Sequence, residues 1–596
     1  MAYTMGINLS HDRSVALVHD GEVIVAIEEE RLDRIKHSEG FLVQGHFERL
    51  TKTLPMKAVT YCLDVAGIGI DDLDLVVGNR PLGDGGIRRI LRELPIRDKT
   101  KVREFPVPSH HLAHAATTYY SSPFDDAAIL VVDQAGSRFP GSSLIEKHTV
   151  LTGTGLDIRS VAATTYPADY SDLSLGLFYD FFTTKLNFVT RFGTPGFGVF
   201  GCGGYPEAGK TMGLAPYGRP RPDWGEWLRL DGLDVRVSQE ELQDIWKSLY
   251  AAEGAGYEPR VPRSWDHPFA RDIARKAQDE LERAMLHLAD QACQLTGQRN
   301  LCLAGGITLN SVTNQRIRAE GPFAQVFIPG PAGDSGNAVG AALYGWHTLL
   351  NGTRRTRMRS AALGRAYPEA DVTEALRHPG FDGQLTARRA GTREVAELLS
   401  QHYVVGWFSG RSEMGPRALG HRSILADPRH PGVRDYLNEE VKHREPFRPY
   451  APSVLAERVS EWFSFTGESP FMLLVPHVRE DRRDQVSAIT HVDGTARVQT
   501  VDAGTDPVYH ELISHFYDIT GVPLVLNTSF NDNGEPIVET PLHALCTFSR
   551  TRIDYLYLDG WLVSKVDATA LPPGHPHLTP LDPAAAAPPS SVSQGR

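Results

Sequence analysis

The chain has 596 residues, of which 41% are hydrophobic and 22% are charged, and its formal net charge is -12. This length exceeds what a single hydrophobic core holds, so two or more domains are expected. No apolar run of about 18 residues or more occurs, which argues against a membrane span. The negative charge argues against a general nucleic-acid role, because phosphate binding usually needs a basic surface. The N-terminus lacks a signal-peptide pattern, and the five scattered cysteines form no CxxC motif, so we expect a cytoplasmic protein.

Several strands and one long helix are predicted in chain order. MGINLS and SVALVH predict two strands, and Asp20-Gly21 predicts a hairpin turn into a third, EVIVAIEEER. AAILVVD predicts a strand that ends at Asp133. Apolar residues at helical spacing predict an amphipathic helix over residues 269–296, and NLCLAGGITLN predicts a strand, a glycine turn and a helix. VVGWFSG and PLVLNTSF predict strands on either side of an arginine-rich region.

The polar, basic stretch NGTRRTRMRSAA predicts the connection between two domains. We expect an N-terminal domain over 1–355, a linker over 356–368 and a C-terminal domain over 369–567. From residue 568 onward, the high content of Pro, Ala and Ser predicts a disordered tail, because such a segment buries too little apolar surface to fold.

Histidines and carboxylates predict a metal site. In a helix, His110 and His114 lie on one face, although this spacing taken alone is more often that of ordinary surface or core histidines. Asp133 ends a predicted strand and Asp334 lies in the glycine turn GPAGDSGNA, and both positions present a carboxylate at a site rather than bury it in packing. The mixed N/O set suits Fe(II), Mn(II), Zn(II) or Ni(II). His11, in the turn LSHDRS, is either a general base or a turn histidine bonded to the backbone.

Two segments invite a nucleotide-binding interpretation. Residues 204–211, GYPEAGKT, match the P-loop pattern. The flanking segments are rich in glycine and contain proline, which argues against the strand before and the helix after the loop that a Walker fold needs. We still assign Lys210 to a phosphate contact. Gly305 and Gly306 fit a close backbone approach to a nucleotide, with Asn310 at the start of the next helix, and a plain tight turn is the alternative.

The C-terminal part contains many cations beside Gly and Pro: Arg411, Arg417, Arg422, Lys442, Arg444, Arg448 and Arg497. The segment LNTSFNDNGEP adds three polar residues after a strand, Thr528, Ser529 and Asn531. Guanidinium groups bind phosphate through two parallel hydrogen bonds, so the cluster predicts an anion site. The alternative is a solvated surface on which these cations pair with Glu413, Glu439 and Glu445.

Together these segments resemble the O-carbamoyltransferase family, which includes nodulation-factor, tobramycin, cephamycin, novobiocin and ansamycin carbamoyltransferases. The resemblance rests on AIEEERLDRIKH, SHHLAHAATTYYSSPF, DLSLGLFY, EAGKTMGLAPYG, LAGGITLNS, GDSGNAVGAAL, GRSEMGPRALGHRSIL, VKHREPFRPYAPS and LNTSFNDNGEPIVETP. It implies an α/β and α+β fold class. The N-terminal domain would be an actin-like ATPase (ASKHA) domain, similar to the tRNA threonylcarbamoyl-transfer enzyme. The C-terminal domain would be similar to the threonylcarbamoyl-adenylate synthase.

The resemblance also implies a reaction. Carbamoyl phosphate and ATP, with Mg, would form carbamoyl-adenylate in the C-terminal domain, and the N-terminal domain would transfer the carbamoyl group to a hydroxyl. A divalent metal, Fe(II) in the family, would be held by His110, His114, Asp133 and Asp334, with His11 as base. Carbamoyl phosphate contacts fall on Arg417, Lys442, Arg448, Arg497, Ser529 and Asn531. Nucleotide contacts are assigned to Lys210, Gly305, Gly306, Asn310 and Thr528.

The acceptor is expected to be a small natural product, as in antibiotic tailoring. A nodulation-type oligosaccharide and a tRNA threonylcarbamoyl-type modification are the alternatives, and the net charge of -12 argues against tRNA. A homodimer is compatible with the sequence. Two other classes stay open at this point. One is a non-haem iron oxygenase, which would leave the C-terminal arginines unexplained. The other is a non-catalytic, ATP-responsive scaffold.

Overall fold

A computed structural model describes residues 2–10, 12–38, 41–43, 50–78, 86–139, 141–191 and 204–566. The chain divides into two units, 1–364 with 414–416 and 365–413 with 417–596. The predicted linker, 356–368, is split by this boundary, and its residues Met358 and Ala361 are buried in the first unit. His11 and the predicted tail from residue 568 lie outside the described residues.

The first unit begins with a five-stranded mixed sheet in the order β3-β2-β1-β6-β7. The strands of this part of the chain are β1 Tyr3–Asn8, β2 Ser14–His19, β3 Glu22–Glu28, β4 Phe41–Val43, β5 Leu50–Lys52, β6 Leu75–Gly78 and β7 Val102–Glu104. The helices are α1 Glu30–Asp33, α2 Met56–Ala66, α3 Gly86–Glu93 and α4 His110–Ser121. Strands β1, β2 and β3 pair antiparallel, and β6 and β7 continue parallel to β1. The predicted hairpin is confirmed, and Asp20 and Gly21 have φ of 48° and 84°, which suits a two-residue turn with the strand twist.

A second five-stranded sheet has the order β10-β9-β8-β15-β16. Its strands are β8 Asp126–Val132, β9 Leu144–Thr154, β10 Asp157–Pro167, β15 Asn300–Ala304 and β16 Gln325–Phe327. Strands β8, β9 and β10 pair antiparallel, and β15 and β16 continue parallel to β8. The topology therefore repeats that of the first sheet strand for strand. This duplication agrees with the actin-like ATPase (ASKHA) fold that was predicted for the N-terminal domain.

The chain between β10 and β15 adds short strand pairs and several helices. The strands are β11 Val189–Arg191, β12 Gly204–Pro206, β13 Arg229–Asp231 and β14 Asp234–Arg236. The helices are α5 Leu175–Lys185, α6 Ala208–Leu214, α7 Gln239–Glu253 and α8 Pro268–Thr296, followed after β15 by α9 Ser311–Glu320 and α10 Asn337–Tyr344. Helix α8 confirms the prediction over 269–296, and its residues Ile273, Leu281, Met285 and Leu288 are fully buried or nearly so.

The second unit is built on an eight-stranded mixed sheet in the order β17-β24-β23-β18-β19-β22-β20-β21. The strands are β17 Leu385–Arg389, β18 Val405–Phe408, β19 Arg422–Ala426, β20 Ala451–Leu455, β21 Gln499–Val501, β22 Leu524–Ser529, β23 Tyr555–Leu558 and β24 Trp561–Lys565. The helices are α11 Glu369–Leu376, α12 Thr392–Ser400, α13 Val433–Tyr436, α14 Val459–Trp462, α15 Pro507–Thr520 and α16 Pro541–Arg550. A core that includes Trp407, Phe516 and Phe548 holds the helices on the sheet.

The two units confirm the predicted α/β and α+β fold class. Across the residues that the structure describes, no helix combines the length and apolar character that crossing a bilayer would need.

Candidate functional site

Helix α4 presents two imidazoles to the end of strand β8. His110 and His114 lie on one face of the helix, and their Nε2 atoms are 2.9 and 3.2 Å from Asp133 Oδ2. Ser137 fixes the beginning of the helix, since its Oγ accepts hydrogen bonds of 3.0 Å from the backbone N–H groups of Ser109 and His110. The helical arrangement predicted for the two histidines is therefore present.

Asp334 completes a group of four potential ligands. Its Oδ1 lies 3.4 Å from Nε2 of both His110 and His114. One ligand atom from each of the four residues lies within 4.8 Å of the others. The turn that carries Asp334 is held by Asn8, whose Nδ2 donates to the Asp334 carbonyl at 3.0 Å.

The electrostatics of this group depend on close charge pairing. Burial and the charge of Asp334 act to raise the pKa of Asp133, but hydrogen bonds from His110 and His114 outweigh them and leave it below its usual value. Burial acts to lower the pKa of His110, but Asp334 and then Asp133 raise it well above its usual value. Two carboxylates and two imidazoles thus share one buried space, and a cation between them would balance the carboxylate charge.

The four side chains fit a divalent metal of the class that the sequence predicts. Two imidazole nitrogens and two carboxylate oxygens converge, and they suit Fe(II), Mn(II), Zn(II) or Ni(II) without selecting one. The remaining oxygen of Asp133, Oδ1, accepts from the backbone N–H groups of Gln134 and Gly306 at 2.8 and 3.0 Å, which fixes the carboxylate plane.

The glycine turn after β15 therefore contacts a predicted metal ligand. Gly305 has φ of 98°, and a Cβ there would lie 2.2 Å from the Val132 carbonyl oxygen, so only glycine fits. Asn310 caps helix α9, because its Oδ1 accepts from the Thr313 N–H at 3.1 Å. Its Nδ2 also donates to Gln278 at 2.9 Å. These contacts are structural, and nucleotide binding by Gly305, Gly306 and Asn310 stays a prediction.

Lys210 lies on α6, where its Nζ is 3.1 Å from Glu207 Oε1. The helix begins at Ala208, inside the segment where a phosphate loop would run, and it ends at Leu214. This geometry differs from a Walker fold, in which the helix follows the loop. A phosphate contact of Lys210 stays a prediction.

In the second unit, Lys442 meets two residues of the predicted anion site. Its Nζ donates to the carbonyl oxygens of Ser529 and Asn531 at 2.9 and 2.6 Å and to Asn531 Oδ1 at 2.7 Å. Ser529 Oγ donates to the same Oδ1 at 2.6 Å. Thr528, one residue before Ser529, pairs with Ile424 of strand β19. The structure thus brings Lys442, Ser529 and Asn531 together.

Arginines of the same unit form a cluster in which positive charges repel one another. Burial and the charge of Arg448 lower the pKa of Arg417 to about 10. Burial, followed by repulsion from Arg417, Arg444 and Arg448, lowers the pKa of Arg497 well below its usual value. One carboxylate of this region lies near the cluster, that of Glu445, 3.6 Å from Arg448 NH1. Mutually repelling guanidiniums at partly exposed positions are typical of a site that receives an anion.

Two residues of the arginine-rich segment have structural contacts. Arg422 is fully buried, stacks over Phe408 and donates to main-chain carbonyls, among them that of Glu539 at 3.2 Å. The Glu413 carboxylate is hydrogen-bonded to the backbone, since its Oε1 accepts from the N–H groups of Leu419, His421 and Arg422 at 2.6, 2.9 and 3.2 Å. No local sequence pattern indicates this arrangement.

The first unit thus holds a metal-capable group, and the second unit holds an arginine cluster. The family described as carbamoyltransferase N-terminus matches residues 3–92 and 87–343, and that described as carbamoyltransferase C-terminus matches residues 396–565. The chain belongs to the carbamoyltransferase family.

Relatives of the chain match along most of its length. A protein of Synechocystis sp. described as uncharacterized protein sll1178 is 33% identical over 95% of this chain and 97% of its own. Nodulation protein NolNO of Sinorhizobium fredii is 34% identical over 94% of this chain and 80% of its own. A crystal structure of T. kodakarensis HypF is similar over 59% of this chain and 48% of its own, with 15% identity and a TM-score of 0.34.

Proposed function

We propose that the protein is an ATP-dependent O-carbamoyltransferase that makes carbamoyl-adenylate and passes its carbamoyl group to a hydroxyl of a small molecule. The observation that carries the proposal is the arginine cluster around Arg497, in which burial and then the neighbouring guanidiniums lower the pKa, and an anionic substrate would offset the accumulated positive charge. Membership of the carbamoyltransferase family supplies the chemical class of the donor.

The activation step consumes both small molecules. Water cleaves carbamoyl phosphate to carbamate and phosphate, and a carbamate oxygen then attacks the α-phosphorus of ATP and expels pyrophosphate. In this proposal Arg417, Arg448 and Arg497 bind the phosphate groups, while Lys442, Ser529 and Asn531 orient the donor. Lys442 is suited to this role because three oxygens within 2.9 Å hold its ammonium group in one position. Thr528 is proposed to contact ATP, with Mg bound to it, and the other nucleotide contacts, Lys210, Gly305, Gly306 and Asn310, are proposed for the AMP part of carbamoyl-adenylate in the first unit.

The transfer step forms a carbamate ester. The acceptor oxygen attacks the carbamoyl carbon, AMP leaves, and the proton of the hydroxyl goes to a base, for which we propose His11. His110, His114, Asp133 and Asp334 would hold a divalent metal, Fe(II) by the family resemblance. When bound, the metal supplies Lewis acidity toward the carbamoyl oxygen or the adenylate phosphate. The residues keep their place through Ser137, Asn8 and the Gly306 N–H group.

Pyrophosphate release in the presence of carbamoyl phosphate and ATP tests the proposal directly. Purified full-length protein, loaded with Fe(II) under anaerobic conditions, is incubated with carbamoyl phosphate, ATP and Mg, and pyrophosphate is measured. Release that requires carbamoyl phosphate is expected. An Arg497→Met variant should lose it, while His114→Ala should keep it. If the wild type releases no pyrophosphate, the proposed activation step is wrong.

The acceptor has two candidates. An antibiotic-type natural product is the first. A nodulation-type acceptor is the second, and it is favoured by the names of several relatives, including nodulation protein NolO of Bradyrhizobium diazoefficiens at 35% identity over 77% of this chain. Mass spectrometry of the reaction with each class of acceptor distinguishes the two candidates, because only the true acceptor gains the mass of one carbamoyl group.

A further inference from the structure

Thr117 lies on α4 one turn beyond His114, where this helix crosses the segment that carries Asp334. Its side chain is buried, and Oγ1 lies 2.8 Å from the Gly336 carbonyl oxygen and 2.9 Å from the Ala113 carbonyl oxygen. The Ala113 carbonyl is also the regular acceptor of the Thr117 N–H group in the helix. The hydroxyl therefore supplies a side-chain link from the histidine-bearing helix to the turn of Asp334.

The crossing itself is unusually close at two glycines. A Cβ on Gly340 would lie 2.0 Å from the Ala113 carbonyl oxygen and 2.5 Å from Thr117 Oγ1. A Cβ on Gly336 would lie 1.9 Å from the Pro331 carbonyl oxygen and 3.2 Å from Thr117 Cγ2. Since glycine at both positions lets the two backbones approach closely, the Thr117 side chain fills the space that remains between them at this point.

The imidazoles depend on this crossing for their orientation. A metal-bound histidine is usually oriented by a hydrogen bond from its second ring nitrogen. Here the Nδ1 atoms of His110 and His114 are buried and have no hydrogen-bond partner. Their direction toward Asp334 must therefore come from the placement of α4 relative to the Asp334 turn.

We infer that Thr117 is a positioning residue of the metal centre, which sets the distance between the histidine pair on α4 and Asp334. This inference rests on the metal site in the proposed function. It predicts that loss of the hydroxyl weakens metal binding although Thr117 itself touches neither the metal nor the substrate.

The test compares three variants of the full-length protein with the wild type. Thr117→Val removes the hydroxyl at nearly constant volume, and Thr117→Ser keeps it. Thr118→Val is the matched control, because Thr118 is the next residue of α4, equally buried, and its hydroxyl faces the Cys302 thiol instead of the turn of Asp334. Co(II) is the probe, followed by titration calorimetry and by its visible absorption bands.

We expect Thr117→Val to weaken Co(II) binding by about tenfold or more and to change the absorption bands, which is the size of effect known for mutations that leave the ligands intact but disturb their placement. Thr117→Ser should restore both, and Thr118→Val should bind as the wild type. Wild-type affinity and spectrum in Thr117→Val, or equal weakening in Thr118→Val, would overturn the inference. A His110→Ala control separates the two failures: if it binds Co(II) as the wild type does, the metal site itself is wrong.

Discussion

Replacing Arg417 by methionine should stabilise the protein while abolishing its response to phosphate. The side chain is partly exposed, and burial together with Arg448 lowers its pKa from 12.5 to about 10. Methionine keeps much of the apolar stem and removes the charge, so the repulsion disappears. Stability and binding are thus expected to change in opposite directions, as they do where a binding site is kept under strain.

The size of the effect follows from the pKa. A fall from 12.5 to about 10 corresponds to about 3 kcal/mol of unfavourable free energy on the charged form. Solvent screening reduces this for a partly exposed group, and we expect a gain of about 1–2 kcal/mol. For a unit of this size the unfolding temperature should rise by about 2–8 °C. Because the folded pKa lies below the unfolded one, the unfavourable term is fully present below pH 10 and disappears as pH rises toward 12.5. The gain should therefore be constant between pH 6 and 8.

Scanning calorimetry of the full-length protein, with and without inorganic phosphate, measures both effects. Wild-type protein should be stabilised by phosphate through mass action, and Arg417→Met should not. Lys442→Met is the control, because its effect on stability should have the opposite sign. Its ammonium group donates to partly buried oxygens of Ser529 and Asn531, so its removal should destabilise the protein by about 1–3 kcal/mol. It too should lose the phosphate response.

Two results would refute this reasoning. If Arg417→Met unfolds at a lower temperature than the wild type, the guanidiniums do not repel one another as argued. If the variant keeps the full phosphate response, the cluster is not the anion site.

Three further predictions concern other residues. Asp133→Ala should abolish Co(II) binding and acceptor carbamoylation but keep pyrophosphate release, and loss of both activities in a folded variant would contradict separate sites. Burial raises the pKa of Glu28 to about 7, so stability should fall as pH rises from about 4.5 to 7, by up to about 3 kcal/mol, and Glu28→Gln should remove this slope in urea denaturation at pH 5 and 8. Glu413→Ala leaves three N–H groups of the loop after Arg417 without their acceptor, so it should destabilise the protein by about 2–4 kcal/mol and weaken phosphate binding, whereas Glu413→Gln should retain most of both.

Local patterns in the sequence determined much of the architecture of this protein. The hairpin at Asp20-Gly21, the helix that places His110 and His114 on one face, and the strand that ends at Asp133 each depend on residues adjacent in the chain. Backbone preferences and hydrophobic periodicity act over such short distances, so the elements could be predicted without knowledge of the fold.

Contacts between distant residues were decided only by the tertiary structure. The duplicated topology of the two five-stranded sheets left no fixed-period repeat in the sequence, because the intervening segments differ in length. The Gly306 N–H group donates to Asp133, 173 positions away in the chain, and no local pattern indicates this contact. Arg422 and Arg497 look alike in the sequence, but one is buried among carbonyl groups and the other faces guanidiniums. The sequence shows which charged side chains a segment contains. Tertiary packing determines which group each of them contacts, and this contact determines the role of the side chain.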